Sequence, residues 1–376
     1  MQENEYGELH PVIDEAHCTH CNLCLKSCPN NIDLDFKYPS LCYASWITDT
    51  QKRKICASGG IGTILSELII RQKNGVVFGS RYDEQFTPII TYTEQLEELE
   101  CFKGSRYVQS IVGNDTLLKV KDFLKSGRFV LFIGTPCQIA GLRSFLRKDY
   151  DNLITVDLIC HGVCPTKYFE EEVAYICKKK RIKNLADVRF RGNDRKNFCL
   201  SFWTSKRTGN SHCVYNKPAY TQYYFAGFLL GVSLRENCYQ CKYARPERIS
   251  DITIGDFIGL GKETPFNYSK RNISSVTLNT SKGAAFYQEV SRHTDILMNV
   301  QREYAERLRY KPSLIEPFHK HKLNSVFREQ ILQVGYLKAI RQTLKTFVWK
   351  HKIRNIINYW RYLYRIPRKI MRQQST

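Results

Sequence analysis

Apolar positions along this chain follow two periods, and the switches between them outline an α/β fold. Residues 61–70, Ile-Gly-Thr-Ile-Leu-Ser-Glu-Leu-Ile-Ile, repeat apolar positions every three or four residues and predict a helix fed by the loop Ser58-Gly59-Gly60. Short apolar runs bounded by turn residues predict strands at 42–48, 75–79, 87–92, 129–133 and 153–159. Helical periodicity marks 115–126, an acidic stretch at 93–100 and an aromatic stretch at 220–230. Two further strands are expected at 188–191 and 198–204, around the polar turn Gly192-Asn193-Asp194. Strands and helices in this succession predict an α/β, mixed α+β body.

Size and charge extend that picture. At 376 residues the chain has room for two or three cores. The net charge of +21 is unevenly placed, because residues 341–376 hold ten Lys or Arg and no Asp or Glu. There Leu344, Phe347, Val348, Ile356, Ile357, Trp360, Leu363 and Tyr364 recur at helical intervals and predict a basic amphipathic helix. Such a helix suits an anionic membrane surface or a berth on its own domain. Nucleic acid is the weaker reading, since no binding motif accompanies the charge. No apolar run approaches the roughly 20 residues of a membrane span.

Cysteine changes the picture most. Fifteen cysteines, with no apolar signal segment ahead of Cys18, point to a reducing, cytoplasmic setting in which thiols serve metals and redox chemistry. Cys18, Cys21, Cys24 and Cys28, followed by Pro29, form the ligand run of a bacterial-type 4Fe-4S cluster. Zinc would want more widely spaced pairs, and disulfides an oxidising compartment. In ferredoxins with two such runs the fourth cysteine ligates the other cluster, yet this chain has one run. Cys28 therefore either closes its own cube or reaches elsewhere, with Cys42, Cys56 or Cys164 as substitutes.

Further reactive residues sit where expected strands end. Gly134-Thr135-Pro136-Cys137-Gln138 follows the strand at 129–133 and opens a helix, while Cys160-His161-Gly162 follows the strand at 153–159. Ligands bind at such ends in open α/β sheets, and free N–H groups at a helix start favour phosphate. Cys238-Tyr239-Gln240-Cys241 is a half-site for metal or a redox pair. Two thiols cannot hold a cube, so Cys137 and Cys160 are candidates to complete a second cluster with them. Cys101, Cys177, Cys199 and Cys213 lie in no motif and read as small buried hydrophobes.

Six ordered motifs now stand out: Ser58-Gly59-Gly60, Lys103 through Ser110, Gly134 through Leu142, Leu158 through Val163, Cys238 through Ala244 and Asp251 through Phe257. Together they resemble the coenzyme F-420 hydrogenase/dehydrogenase beta-subunit family over residues 15–300. Known members, among them deazaflavin-reducing subunits and 7-hydroxymethyl chlorophyll a reductase, bind FAD and one or more 4Fe-4S clusters. The resemblance implies a flavin site built from Ser58, Gly59, Gly60, Lys103, Gly104, Ser105, Arg106, Tyr107, Gly134, Thr135, Pro136, Gln138, Gly255 and Asp256. It also implies a second cluster on Cys137, Cys160, Cys238 and Cys241. Lys103 and Arg106 would neutralise the cofactor's diphosphate, and Asp256 would accept from ribose or ring N–H groups. His161 is the candidate general acid, because imidazole titrates near working pH.

The implied activity is that of an FAD- and iron–sulfur-dependent oxidoreductase moving hydride to or from an organic acceptor, deazaflavin-like or other. The alternative is a non-catalytic electron-transfer subunit feeding a partner enzyme. Expected partners are a small-molecule redox substrate and a ferredoxin or other redox protein. The expected location is cytoplasmic, with a peripheral contact of 341–376 at the inner membrane face compatible with it. On this reading the chain divides into a ferredoxin-type 4Fe-4S segment (1–38), an N-terminal α/β domain (39–114), a C-terminal α/β domain carrying flavin and second cluster (115–300), and a helical, basic tail (301–376).

Overall fold

The short apolar runs come together as one nine-stranded mixed sheet in the computed structural model of the chain, which describes residues 1–113, 115–191, 198–204 and 212–373. The expected turn Gly192-Asn193-Asp194 and the side chains of Trp360, Leu363 and Tyr364 lie outside the described residues. Strand order is Leu297–Arg302, Leu41–Ile47, Ser274–Leu278, Ile252–Asp256, Leu153–Leu158, Val130–Gly134, Val76–Tyr82, Pro88–Thr93 and Ile111–Val112. From Ile252–Asp256 to Val76–Tyr82 the four central strands run parallel. Being covered on both faces, they read as continuous apolar runs, and Val130, Leu131, Phe132 and Val156 are fully buried.

Side chains that alternate along these strands serve two faces. Helices Ile61–Lys73 and Ser281–Arg292 cover one face through Ile64, Leu68, Phe286 and Val290. Helices Thr116–Lys125 and Pro136–Leu146 cover the other through Val120, Leu124, Ile139 and Leu142. Each such aliphatic side chain stabilises the fold by about 1.5–3 kcal/mol on burial. Gly59 passes so close to the sheet that a Cβ would stand 2.4 Å from the Ser45 carbonyl oxygen. Gly60 opens its helix at φ +87°, a conformation that other residues resist.

A second core surrounds Phe169, Phe190, Phe202, Tyr224 and Phe225. It joins helices Thr166–Lys180 and Tyr223–Leu230 to the three-stranded sheet Asp187–Arg189, Cys199–Trp203 and Cys213–Pro218. The C-terminal helix, Asn324–Gln373, is broken at Gly335 (φ 72°, ψ 166°). Beyond that break Ile340, Leu344 and Val348 are buried against this core, and one Nη of Arg341 donates to both Glu172 oxygens at 3.0 Å. Further along, Trp349, Ile356, Ile357 and Tyr359 are exposed. Among the described residues no helix is long and apolar enough to cross a membrane.

One expected element differs. The acidic stretch at 93–100 forms only a 3-10 turn, Glu97–Phe102. Thr93 is taken by strand pairing with Val77, and its hydroxyl accepts from the Gln95 N–H at 3.0 Å. Too few residues then remain to nucleate an α-helix.

Candidate functional site

Where parallel strands end, backbone and side-chain groups are released toward one side of the sheet. Val130–Gly134 and Leu153–Leu158 are adjacent, with Gly134 paired to Asp157. The residues that follow them, Cys137 and Cys160, are thereby set beside each other. Cys238 and Cys241 come from the 3-10 turn Glu236–Gln240 and its end, and the Arg235 N–H bonds the Val163 carbonyl at 2.9 Å, tying that turn to the Cys160 loop. Gly162 (φ +120°) permits the approach, since a Cβ there would meet Leu234 at 2.7 Å.

Each of these four thiols lies in the field of the other three. Burial first, and then the neighbouring sulfurs, push the Cys160 thiol up and the Cys238 thiol up to about 12. Iron would relieve that crowding, because a cluster holds its ligands as thiolates. Among the described residues no three Cys, His, Asp or Glu side chains are close enough to hold one metal ion, so the four thiols form a wide set.

The N-terminal run is built differently. Its loop turns through left-handed residues His20 (φ 53°) and Asn22 (φ 58°) into the single helical turn Leu23–Lys26. Cys21 and Cys24 are exposed, Cys18 and Cys28 half-buried. The Leu23 N–H and the Thr19 hydroxyl bond the Cys21 sulfur and lower its pKa, contacts that favour a thiolate. Cys28 faces the body. Burial and then the sulfurs of Cys137, Cys241 and Cys28 push the Tyr243 phenol up, so thiols of both cysteine sets act on this one side chain. Across the same seam Lys242 donates to the Pro29 carbonyl, and Arg147 to the Ser27 hydroxyl at 2.7 Å. The substitutes considered for Cys28 lie in the packed interior: Cys42 beside Ser275, Cys56 beside Thr63 and Cys164 beside Ser233.

A cavity of about 1360 Å³ opens at the strand ends. Of the residues expected around a flavin, all but Gly59 and Pro136 line it. Several of them already have partners. Lys103 is paired with Glu100, and Arg106 bonds the Cys101 and Phe102 carbonyls beneath the Tyr82 ring at 4.7 Å. Gln138 accepts from the Thr135 N–H at 2.9 Å and donates to the Ser110 carbonyl at 3.0 Å. Arg191 clasps both oxygens of Asp256, at 2.7 and 3.1 Å, and against the effect of burial holds that carboxyl below the usual range.

His161 sits with its ring 4.1 Å from Phe318 and 5.0 Å from Phe228. Burial, aided by the Lys311 charge, pushes its pKa down to about 4, and its Nε2 has no partner. The imidazole is therefore neutral at neutral pH. Three lining residues had no signal in the sequence: Arg191, Arg307 and Lys311. Their interest comes from burial, which a local motif does not record.

All four body cysteines fall within residues 127–301, which match the family model for the C terminus of the coenzyme F420 hydrogenase/dehydrogenase beta subunit. Residues 127–301 belong to this family. Residues 11–32 match a 4Fe-4S binding domain, the segment holding the run from Cys18 to Cys28. The chain thus joins a 4Fe-4S binding segment to a region that matches this beta-subunit family, the makeup of an iron–sulfur electron-transfer protein. Its fold is similar to that of a chain in the F420-reducing [NiFe] hydrogenase complex from Methanosarcina barkeri, a xenon-derivatised structure. The two are 15% identical over 84% of this chain and 95% of that one, with a TM-score of 0.45. No curated protein matches the chain. The family match ends before Arg307 and Lys311.

Proposed function

We propose that the chain is an iron–sulfur flavoprotein oxidoreductase. Cys18, Cys21, Cys24 and Cys28 would hold one 4Fe-4S cluster, Cys137, Cys160, Cys238 and Cys241 a second, and the adjoining cavity FAD. The observation that carries this reading is the double position of Cys160, which belongs to the four-thiol set and also lines the cavity. When bound, clusters pass single electrons and a flavin exchanges two, which together link a one-electron donor to hydride chemistry.

The cavity fits such a group. Its 1360 Å³ exceeds the roughly 300–1,000 Å³ of ordinary ligand clefts, leaving room for a dinucleotide and an acceptor. Buried atoms of its lining lack partners, including Arg106 Nε, Gln109 Oε1, His161 Nε2 and Arg191 Nε. Buried polar atoms are ordinarily satisfied, so a bound polar group is what they await. Gln138 fixes the start of helix Pro136–Leu146, whose first-turn N–H groups favour an anion. Arg191 keeps Asp256 ionised and in place. His161 offers a neutral Nε2 beside Cys160 for a hydrogen bond to the acceptor.

The test is anaerobic reconstitution with iron, sulfide and FAD followed by gel filtration. About one flavin retained per chain supports the reading; loss of all flavin refutes it.

The exposed surroundings of the N-terminal run favour a second role alongside this one. Val12, Ile13, Leu23 and Leu25, in the segment that holds the cysteines, are each about half exposed, apolar side chains that a docking ferredoxin or other redox protein could cover. The tail adds a membrane reading for its outer part only, because Ile340, Leu344 and Val348 are accounted for by the core. Truncation after Lys352 spares that core; membrane association that survives it rules out the outer tail as an anchor.

A further inference from the structure

Among the described residues four arginines are buried, and three of them hold a carboxylate. Arg189 pairs with Asp187 at 2.6 Å, Arg191 with Asp256 at 2.7 Å and Arg248 with Asp157 at 3.0 Å. Arg307 is the exception among the described residues. It is wholly buried, lines the cavity, and none of Nε, Nη1 and Nη2 has a hydrogen-bond partner. A buried charge without a counter-ion is strongly unfavourable. The carboxylate whose charge acts on it, Asp256, already gives both oxygens to Arg191. Burial lowers the Arg307 pKa only to about 10, so it stays charged.

Lys311 enlarges the imbalance. It lines the same cavity within the fields of Arg307, Asp256 and Cys160, and its ammonium makes no hydrogen bond or ion pair among the described residues. Arg191, Arg307 and Lys311 face one carboxylate, Asp256, which leaves an excess of two positive charges.

We propose that Arg307 and Lys311 form the recognition site for a carboxylate of the organic substrate, held at the Cys160 end of the cavity. This rests on the flavin reading of that cavity. Position separates the site from the helix start at Thr135. Sheet order puts Asp256 and Cys42, the neighbours of Arg307, on one side of strand Leu153–Leu158 and Gly134 on the other. The substrate anion would therefore lie beside the redox ligand, with His161 Nε2 next to it. Arg307 and Lys311 fall beyond the family-matched residues, which makes them a means by which this chain selects its own substrate class, an organic acid.

The shared chemistry is an oxyanion, and the other source of one is the cofactor's diphosphate. The experiment separates the two on cluster-reconstituted full-length protein, wild type, Arg307→Gln, Arg307→Lys and Lys311→Gln. It measures flavin retained after gel filtration and the calorimetric Kd for oxalate, with oxamide as the uncharged control. Expected are wild-type flavin retention in every variant, oxalate binding weakened at least about tenfold in Arg307→Gln and less in Lys311→Gln, partial recovery in Arg307→Lys, and no response to oxamide. Loss of flavin in Arg307→Gln, with oxalate binding unchanged, assigns the pair to the diphosphate and overturns the proposal. Equal oxalate binding by wild type and Arg307→Gln, or none by wild type, also overturns it. Wild-type protein that retains no flavin yet binds oxalate through Arg307 defeats the flavin reading while the anion site stands.

Discussion

The N-terminal cysteine run closes within one exposed loop, whereas Cys137, Cys160, Cys238 and Cys241 meet only because parallel strands end side by side and a later loop is tied back to Val163. The first set is a matter of local spacing and stands outside the cores; no residue of its helical turn is buried. The second is a product of the whole sheet. That difference teaches where each cluster can act. A cluster on the loop could meet a partner protein, and the second cluster proposed for the sheet-borne set would adjoin the cavity through Cys160.

The sharpest break would come from Cys160→Ser. Iron and sulfide should fall by about half, and stability in anaerobic urea unfolding by about 3 kcal/mol or more, because metal binding to a site drawn from distant segments is also folding free energy. Unchanged stability would mean that the two sets are alike after all. Gly59→Ala comes next. The new Cβ, 2.4 Å from the Ser45 oxygen, should cost about 1–3 kcal/mol in the same assay while the run keeps its iron. The smallest effect on stability belongs to Cys21→Ser with Cys24→Ser. About half the iron should be lost with less than about 0.5 kcal/mol change, and a large loss would show that the run helps hold the body together.

The same contrast explains what could be read in advance. The run from Cys18 to Cys28 is a pattern of neighbours, and the central strands Val130–Gly134 and Leu153–Leu158 are plain apolar runs because both their faces are covered. Strand Ser274–Leu278 carries no such signal. It is wholly buried yet rich in Ser and Thr, with hydroxyls used internally, such as Ser274 toward the Gly59 N–H at 2.9 Å and Thr277 toward Asn279 at 3.0 Å. Lys103 and Arg106 stood out as cations for a phosphate because sequence displays a charge without its partner; here Glu100 and backbone carbonyls engage them. Arg307 stayed invisible for the converse reason. Its surroundings, Cys42, Asp256, Phe257 and Tyr304, come from three separate stretches of chain.

Two clusters and a flavin in one chain are the centre of this account, and metal and flavin content tests them most directly. Iron, acid-labile sulfide and flavin measured together on anaerobically purified, reconstituted protein should give about eight iron, about eight sulfide and about one FAD per chain. About four iron, or protein free of flavin, would contradict it.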